Sequence, residues 1–113
     1  MTKLADIARM AELAQLVLDQ RLGRLRGAAA ELERSRQQIA ALDLSAAATD
    51  LEPVTAEKVA LTYDRWADQR RSELNLVIAR QTASWIEARS EAQTAFGRVQ
   101  ALQGLATRLK EKR

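Results

Sequence analysis

The sequence predicts an all-α protein: two long helices forming an antiparallel coiled-coil hairpin, with the C-terminal helix the longer. Three observations carry that expectation. Of 113 residues, 47% are hydrophobic but only 4% aromatic, and Ala, Leu, Arg, Glu and Gln dominate, a composition typical of long helices. Apolar and small residues recur at alternating intervals of three and four over most of the chain. One short segment interrupts this pattern, and it holds the only Pro, Pro53.

The first helix is expected over about 3–42. Its a column reads Leu4, Ala11, Leu18, Leu25, Leu32, Ile39, and its d column reads Ile7, Ala14, Arg21, Ala28, Ser35, Leu42. A strict seven-residue repeat keeps such a stripe on one face only when the helix supercoils around a partner. Arg21 breaks the apolar seam. It is expected to snorkel, or to pair with Glu73 or Asp19, and to fix register at some cost in stability.

The bend is expected over about 43–55. Asp43, Asp50 and Glu52 are uncompensated by any base there. Together with Pro53 and an Ala run they predict the most mobile internal segment. Thr55 is a suitable N-cap, with Glu57 in the following turn to suit the helix dipole. The second helix then runs over about 56–110. Its stripe passes through Ala60, Ala67, Leu74, Ile78, Trp85, Ala88, Ala92, Ala95, Val99, Leu102, Ala106 and Leu109, widened by Val59, Tyr63, Trp66, Val77, Phe96 and Leu105.

Closing the shortest loop sets Leu42 against about Ala56, so that facing residue numbers sum to about 98. Leu32 would then meet Trp66 and Ala67, and Leu25 would meet Leu74. Trp85 would face the small Ala11 and Ala14, and Leu4 would reach Ala95 and Phe96. At 1.5 Å per residue the helices are about 60 and 80 Å long. In this register the turns from about Gly97 onward overhang, with Gly97, Ala101 and Gly104 as a small-residue strip. Their apolar stripe is surrounded by Arg98, Arg108, Lys110, Lys112 and Arg113, and no acid occurs between Glu91 and Glu111. An unpaired apolar stripe flanked by bases implies a partner with an acidic or polar-lined cavity.

The absent residues exclude whole classes of chemistry. With no Cys there is no disulfide, thiolate nucleophile or zinc ribbon. With no His the commonest general base and transition-metal ligand are missing. Phosphate-binding Gly-rich loops and nucleophile elbows do not occur. Apolar runs reach only three or four residues, too short to span a bilayer. Asp6 stands where a secretory signal would carry apolar residues. The expectation is a cytosolic or peripheral protein that is not an enzyme and takes no cofactor, metal or small-molecule substrate. Net charge is +3, from 18 Lys+Arg against 15 Asp+Glu. Because the signs alternate along both helices, they read as solvated faces and not as a nucleic-acid surface.

A hairpin of this size with a longer, basic C-terminal helix resembles the stalk proteins of bacterial type III export ATPases, the flagellar FliJ family and its injectisome counterpart, the YscO family. The residues that carry the resemblance are the ending Ala95-Phe-Gly-Arg-Val-Gln-Ala-Leu-Gln-Gly-Leu-Ala-Thr-Arg-Leu-Lys-Glu-Lys-Arg113 and the run Leu13-Ala-Gln-Leu-Val-Leu-Asp-Gln-Arg-Leu-Gly-Arg-Leu25. The resemblance implies a central stalk at the inner face of the cell membrane. Its terminal end would insert into a hexameric export ATPase and link that ring to an export-gate membrane protein, with export chaperones as further partners. Carried over by position, the ATPase contacts would be Lys3, Leu4, Arg98, Leu102, Leu105, Arg108 and Leu109. The gate contacts would be Arg36, Ile39, Tyr63 and Trp66. The rival expectation is a self-associating chaperone or structural module that buries its stripe in a four-helix homodimer.

Overall fold

The computed structural model describes residues 2–44 and 53–112, and all of these except Lys112 are helical. Helix α1 spans Thr2–Leu44, 43 residues, and helix α2 spans Pro53–Glu111, 59 residues. The fold is therefore an all-α two-helix hairpin with the longer helix second. The expected bend largely coincides with residues 45–52, which lie outside the described residues, as does the expectation that the bend is mobile. Helix α2 begins at Pro53, two residues before the expected cap at Thr55. Pro suits a first helical position because the N–H it lacks would have no intrahelical partner there. At the other end of α2, Arg108 and Lys110 complement the negative pole of the helix dipole.

The chain divides into two compact units: residues 1–29 with 84–113, and residues 30–83. In the first, Leu18, Ala95 and Val99 form a buried cluster against which Ala14 and Leu22 pack. Arg24 Nη1 donates to Glu91 Oε2 at 2.9 Å, and Arg21 Nη1 lies 3.8 Å from the same oxygen. The seam of the second unit contains Leu32, Leu42, Ala67 and Leu74, together with the buried Ser35. Arg71 grips Asp43 Oδ1 through Nη2 at 2.7 Å and Nε at 3.1 Å, and it reaches Asp68 through Nη1 at 2.8 Å. The hydrogen bond to Asp43 is the main reason that the Arg71 guanidinium holds its proton above the ordinary arginine value. The Tyr63 hydroxyl donates to the carbonyl of Leu42 at 3.1 Å.

These ties correct the expected register. The pairs Arg24–Glu91, Arg21–Glu91 and Asp43–Arg71 have residue numbers summing to 115, 112 and 114, against the expected value of about 98. The discrepancy is close to two heptads, and its cause is physical. A seam that repeats every seven residues packs almost equally well after sliding by seven or fourteen, so large-against-small matching cannot choose between such registers. The expected pairings change accordingly. Arg21 pairs with Glu91, not with Glu73 or Asp19. Leu25 shares a groove with Arg89 and Ala92 instead of meeting Leu74. Ala14 packs against the cluster of Leu18, Ala95 and Val99 instead of beneath Trp85, whose ring lies under the Arg89 guanidinium at 5.6 Å. The same register sets Leu32 opposite about residue 82 and not Trp66, which is 54% exposed.

The expected C-terminal overhang is also overturned. Residues 84–113 belong to one unit with residues 1–29, and Val99 is buried to 4% exposure. The same register brings half-buried Leu102, Ala106 and Leu109 beside half-buried Ala11, Ile7 and Leu4. The turns of α2 with no residue of α1 opposite them are its first ones. From Pro53 to Trp66 only Ala56 and Tyr63 are even half-buried, Ala60 is exposed, and the seam proper begins at Ala67, 1% exposed.

Two sets of variants test this register. Ala67→Leu should cost about 1–3 kcal/mol through overpacking, whereas Ala60→Leu should leave the denaturation midpoint within about 0.5 kcal/mol of the parent. Truncation after Gly97 should lower the melting temperature, because losing buried Val99 alone removes about 1.5–3 kcal/mol of burial. A truncated chain that melts like the parent would restore the overhang. Separately, a Cβ built on Gly97 meets nothing within 4 Å. Gly97→Ala should therefore raise thermal stability by about 1 kcal/mol, read from the same melting curves.

Candidate partner-docking surfaces

A two-helix hairpin buries only one stripe of each helix, so any large apolar side chain off that stripe stays exposed. On α1 a second apolar file, Met10, Leu13 and Val17, lies beside the seam at intervals of three and four. These residues are 52%, 62% and 41% exposed. Across the seam on α2, Leu105 is 43% exposed. The Arg24–Glu91 tie places these files on one face. Moving one heptad from that rung, in opposite directions along the antiparallel helices, reaches Val17 and Arg98. These two line a single concavity with Thr94. The next rung is Met10 with Leu105, and the one after it is Lys3 with Lys112.

On the other flank of the same unit, Leu22, Leu25, Ala92 and Phe96 line a groove of about 460 Å³ together with Arg89. The second unit has its own exposed patch. Tyr63 and Trp66 stand with ring centroids 5.6 Å apart and planes tilted by 48°. Lys58, Val59 and Thr62 complete a shelf on the first turns of α2.

The expected site residues fall into place unevenly. Leu4, Leu102 and Leu109 are half-buried seam residues, while Lys3, Arg98, Leu105 and Arg108 are exposed. Among the described residues, Lys3, Arg98 and Arg108 make no ion pair and no side-chain hydrogen bond. Of the four residues assigned to a gate, the structure brings Tyr63 and Trp66 together, with Tyr63 half-buried. Ile39 is half-buried in the seam, and Arg36 is exposed and forms no ion pair among the described residues. Met10, Leu13 and Val17 were not singled out as a surface from sequence. Their three-and-four spacing one position away from the main stripe was the available signal.

Among the described residues, no group of three or more carboxylates lies close enough to hold a metal ion, and no helix is long and apolar enough to cross a membrane. No family model, curated protein or solved structure matches the chain.

The exposure of these patches leads to a simple expectation. Trp66→Ala should leave stability within about 0.5 kcal/mol of the parent, whereas Leu74→Ala, in the seam, should cost about 2–5 kcal/mol. Comparable losses in urea titrations of the two variants would mean that Trp66 is part of the core.

Proposed function

We propose that this chain is a non-enzymatic stalk component of a bacterial flagellar or type III protein-export apparatus, as its resemblance to the FliJ and YscO families implies. Its terminal end inserts into the hexameric export ATPase and couples that ring to the export gate. The observation that supports this reading is the distribution of charge. Residues 1–12 and 98–113 carry seven bases and three acids, a surplus of four, in a chain whose whole net charge is +3. The remaining residues therefore carry a net charge of −1. The positive surplus sits where both helices terminate, beside exposed Met10, Leu13 and Leu105. A basic tip with apolar side chains among its charges suits insertion into a collar whose lining is partly acidic.

The register changes how such a tip acts. A paired two-helix end docks, not a single protruding helix, so Leu4, Leu102 and Leu109 hold the tip together while Lys3, Arg98, Leu105 and Arg108 face the ring. The aromatic shelf of Tyr63 and Trp66 is the surface assigned to the gate. The protein works at the cytoplasmic face of the membrane.

The test is an ATPase assay with a hexameric export ATPase from the same organism. Arg98→Glu combined with Arg108→Glu should abolish most of the stimulation and leave helicity and melting temperature unchanged, since both side chains are exposed and unpaired. The deficit should be largest at low ionic strength, where charge attraction is least screened. Full stimulation by the doubly reversed protein would defeat the stalk reading. One observation favours the alternative of a self-associating module: the apolar groove of Leu22, Leu25 and Phe96 could be covered by a second copy. Sedimentation separates the two readings, since a stalk travels as a monomer of 12.6 kDa and a four-helix bundle as a dimer.

A further inference from the structure

We propose that the face of the first unit carrying Met10, Leu13, Val17 and Leu105 docks an acidic amphipathic helix of a partner protein, laid along the groove between α1 and α2 as a third helix. The inference deepens the tip-docking reading, and rests on it in using the same end of the hairpin, by stating what chemistry the partner must present.

The sequence of rungs defines the groove. At Arg24–Glu91 the charges are mutually satisfied at 2.9 Å. One heptad nearer the termini, Val17 stands beside Arg98, whose guanidinium has no acid partner among the described residues. One heptad further the rung is wholly apolar, Met10 with Leu105, and Leu13 extends it on the outer side. The last rung, Lys3 with Lys112, is cationic on both helices. Each heptad advances about 10 Å along the axis. Asp6, one heptad before Leu13, is the one acid that α1 adds to this edge. The groove therefore offers an apolar centre with Arg98 about 10 Å to one side and Lys3 and Lys112, against the single Asp6, about 10 Å to the other. Helix α2 supplies no acid between residues 92 and 110, and although Glu91 and Glu111 bracket that stretch, neither Arg98 nor Arg108 forms an ion pair among the described residues.

An occupant that fits has Leu or Ile at intervals of three and four in its middle and Glu or Asp about one heptad to each side. A basic or neutral helix would bring no partner to these cations. The opposite groove of Leu22 and Phe96 is less discriminating, because Glu12 and Asp19 share that flank of α1 with Arg26. The shelf of Tyr63 and Trp66 has only Lys58 as a cation in its lining. Charge complementarity singles out the Met10–Leu105 face.

The full-length protein can be tested with a synthetic helical peptide of about three heptads, carrying Leu at a and d positions and Glu at the flanking ones, and an isomer with Lys in place of Glu. At physiological ionic strength the Glu peptide should bind and the Lys isomer should not. Amide NMR shifts should centre on Met10, Leu13, Val17, Arg98 and Leu105. Leu13→Ser, Leu105→Ser and Arg98→Glu should each weaken binding about tenfold. Arg80→Glu, an exposed reversal in the other unit, should leave it unchanged, and circular dichroism should find all four variants folded. Equal losses from Arg80→Glu and Arg98→Glu would reduce the effect to diffuse electrostatics and overturn the proposal. So would failure of the Glu peptide to bind, or concentration-dependent self-association that Leu105→Ser abolishes, since a second copy would then cover the face. Peptide binding without ATPase stimulation defeats the stalk reading alone, and stimulation without peptide binding defeats the groove alone.

Discussion

Everything in this molecule depends on one narrow seam. Two helices can bury only the stripe along which they touch, and among the described residues no large side chain falls below 2% exposure. The most deeply buried seam positions on α2 include Ala67, Ala88, Ala92 and Ala95, at 1–5% exposure. Small residues there let the backbones approach, while Leu18, Leu32, Leu42 and Leu74 fill the holes between them. No single contact dominates. Stability is spread over successive heptads, and each heptad needs its neighbours to keep the helices in contact.

A thin seam also forces specificity onto its edges. Hydrophobic contacts that repeat every seven residues do not fix an axial position, so the unique ties must. Arg71 on Asp43 and Arg24 on Glu91 are exposed ion pairs, each contributing at most about 1 kcal/mol to stability. A slip by one heptad would lose both, so they bias the register by about that amount. Ser35 and Gln81 add a polar interruption within the second unit. Ser35 is 6% exposed, and the buried Oε1 of Gln81 has no hydrogen-bond partner among the described residues. Placing polar atoms in an apolar seam costs stability, and in coiled coils such sites restrict the registers that can form.

The seam was legible in the sequence because a heptad is a local pattern. Every position from Leu4 to Leu42 in the two columns read for α1 is buried or half-buried, Arg21 and Ser35 included. On α2 the stripe holds from Ala67 to Leu109 and fails only at Ala60. Register was not legible, because it depends on the path of the chain between Leu44 and Pro53 and on side-chain ties between residues as distant as Arg24 and Glu91. That one quantity moved the turns of α2 that lie beyond α1 from the end of α2 to its beginning. The docking residues fared accordingly. Arg98, Leu105 and Arg108 face solvent, but Leu102 and Leu109 are half-buried with α1 beside them. Met10, Leu13 and Val17 were overlooked because a second apolar file beside a strong first one reads as a wider stripe.

The two tryptophans fall one to each unit, and their surroundings differ. Trp85, half-buried, lies under the Arg89 guanidinium in the unit that contains both termini, while Trp66 stands more than half exposed beside Tyr63 in the other. A seam whose contacts are all between near neighbours along its axis melts piecewise more readily than a globular core does. Single-tryptophan variants thus turn the chain into a two-channel optical probe. Emission from each indole follows its own stretch of the hairpin, so loosening of the tip can be timed separately from loosening near the bend within one small molecule.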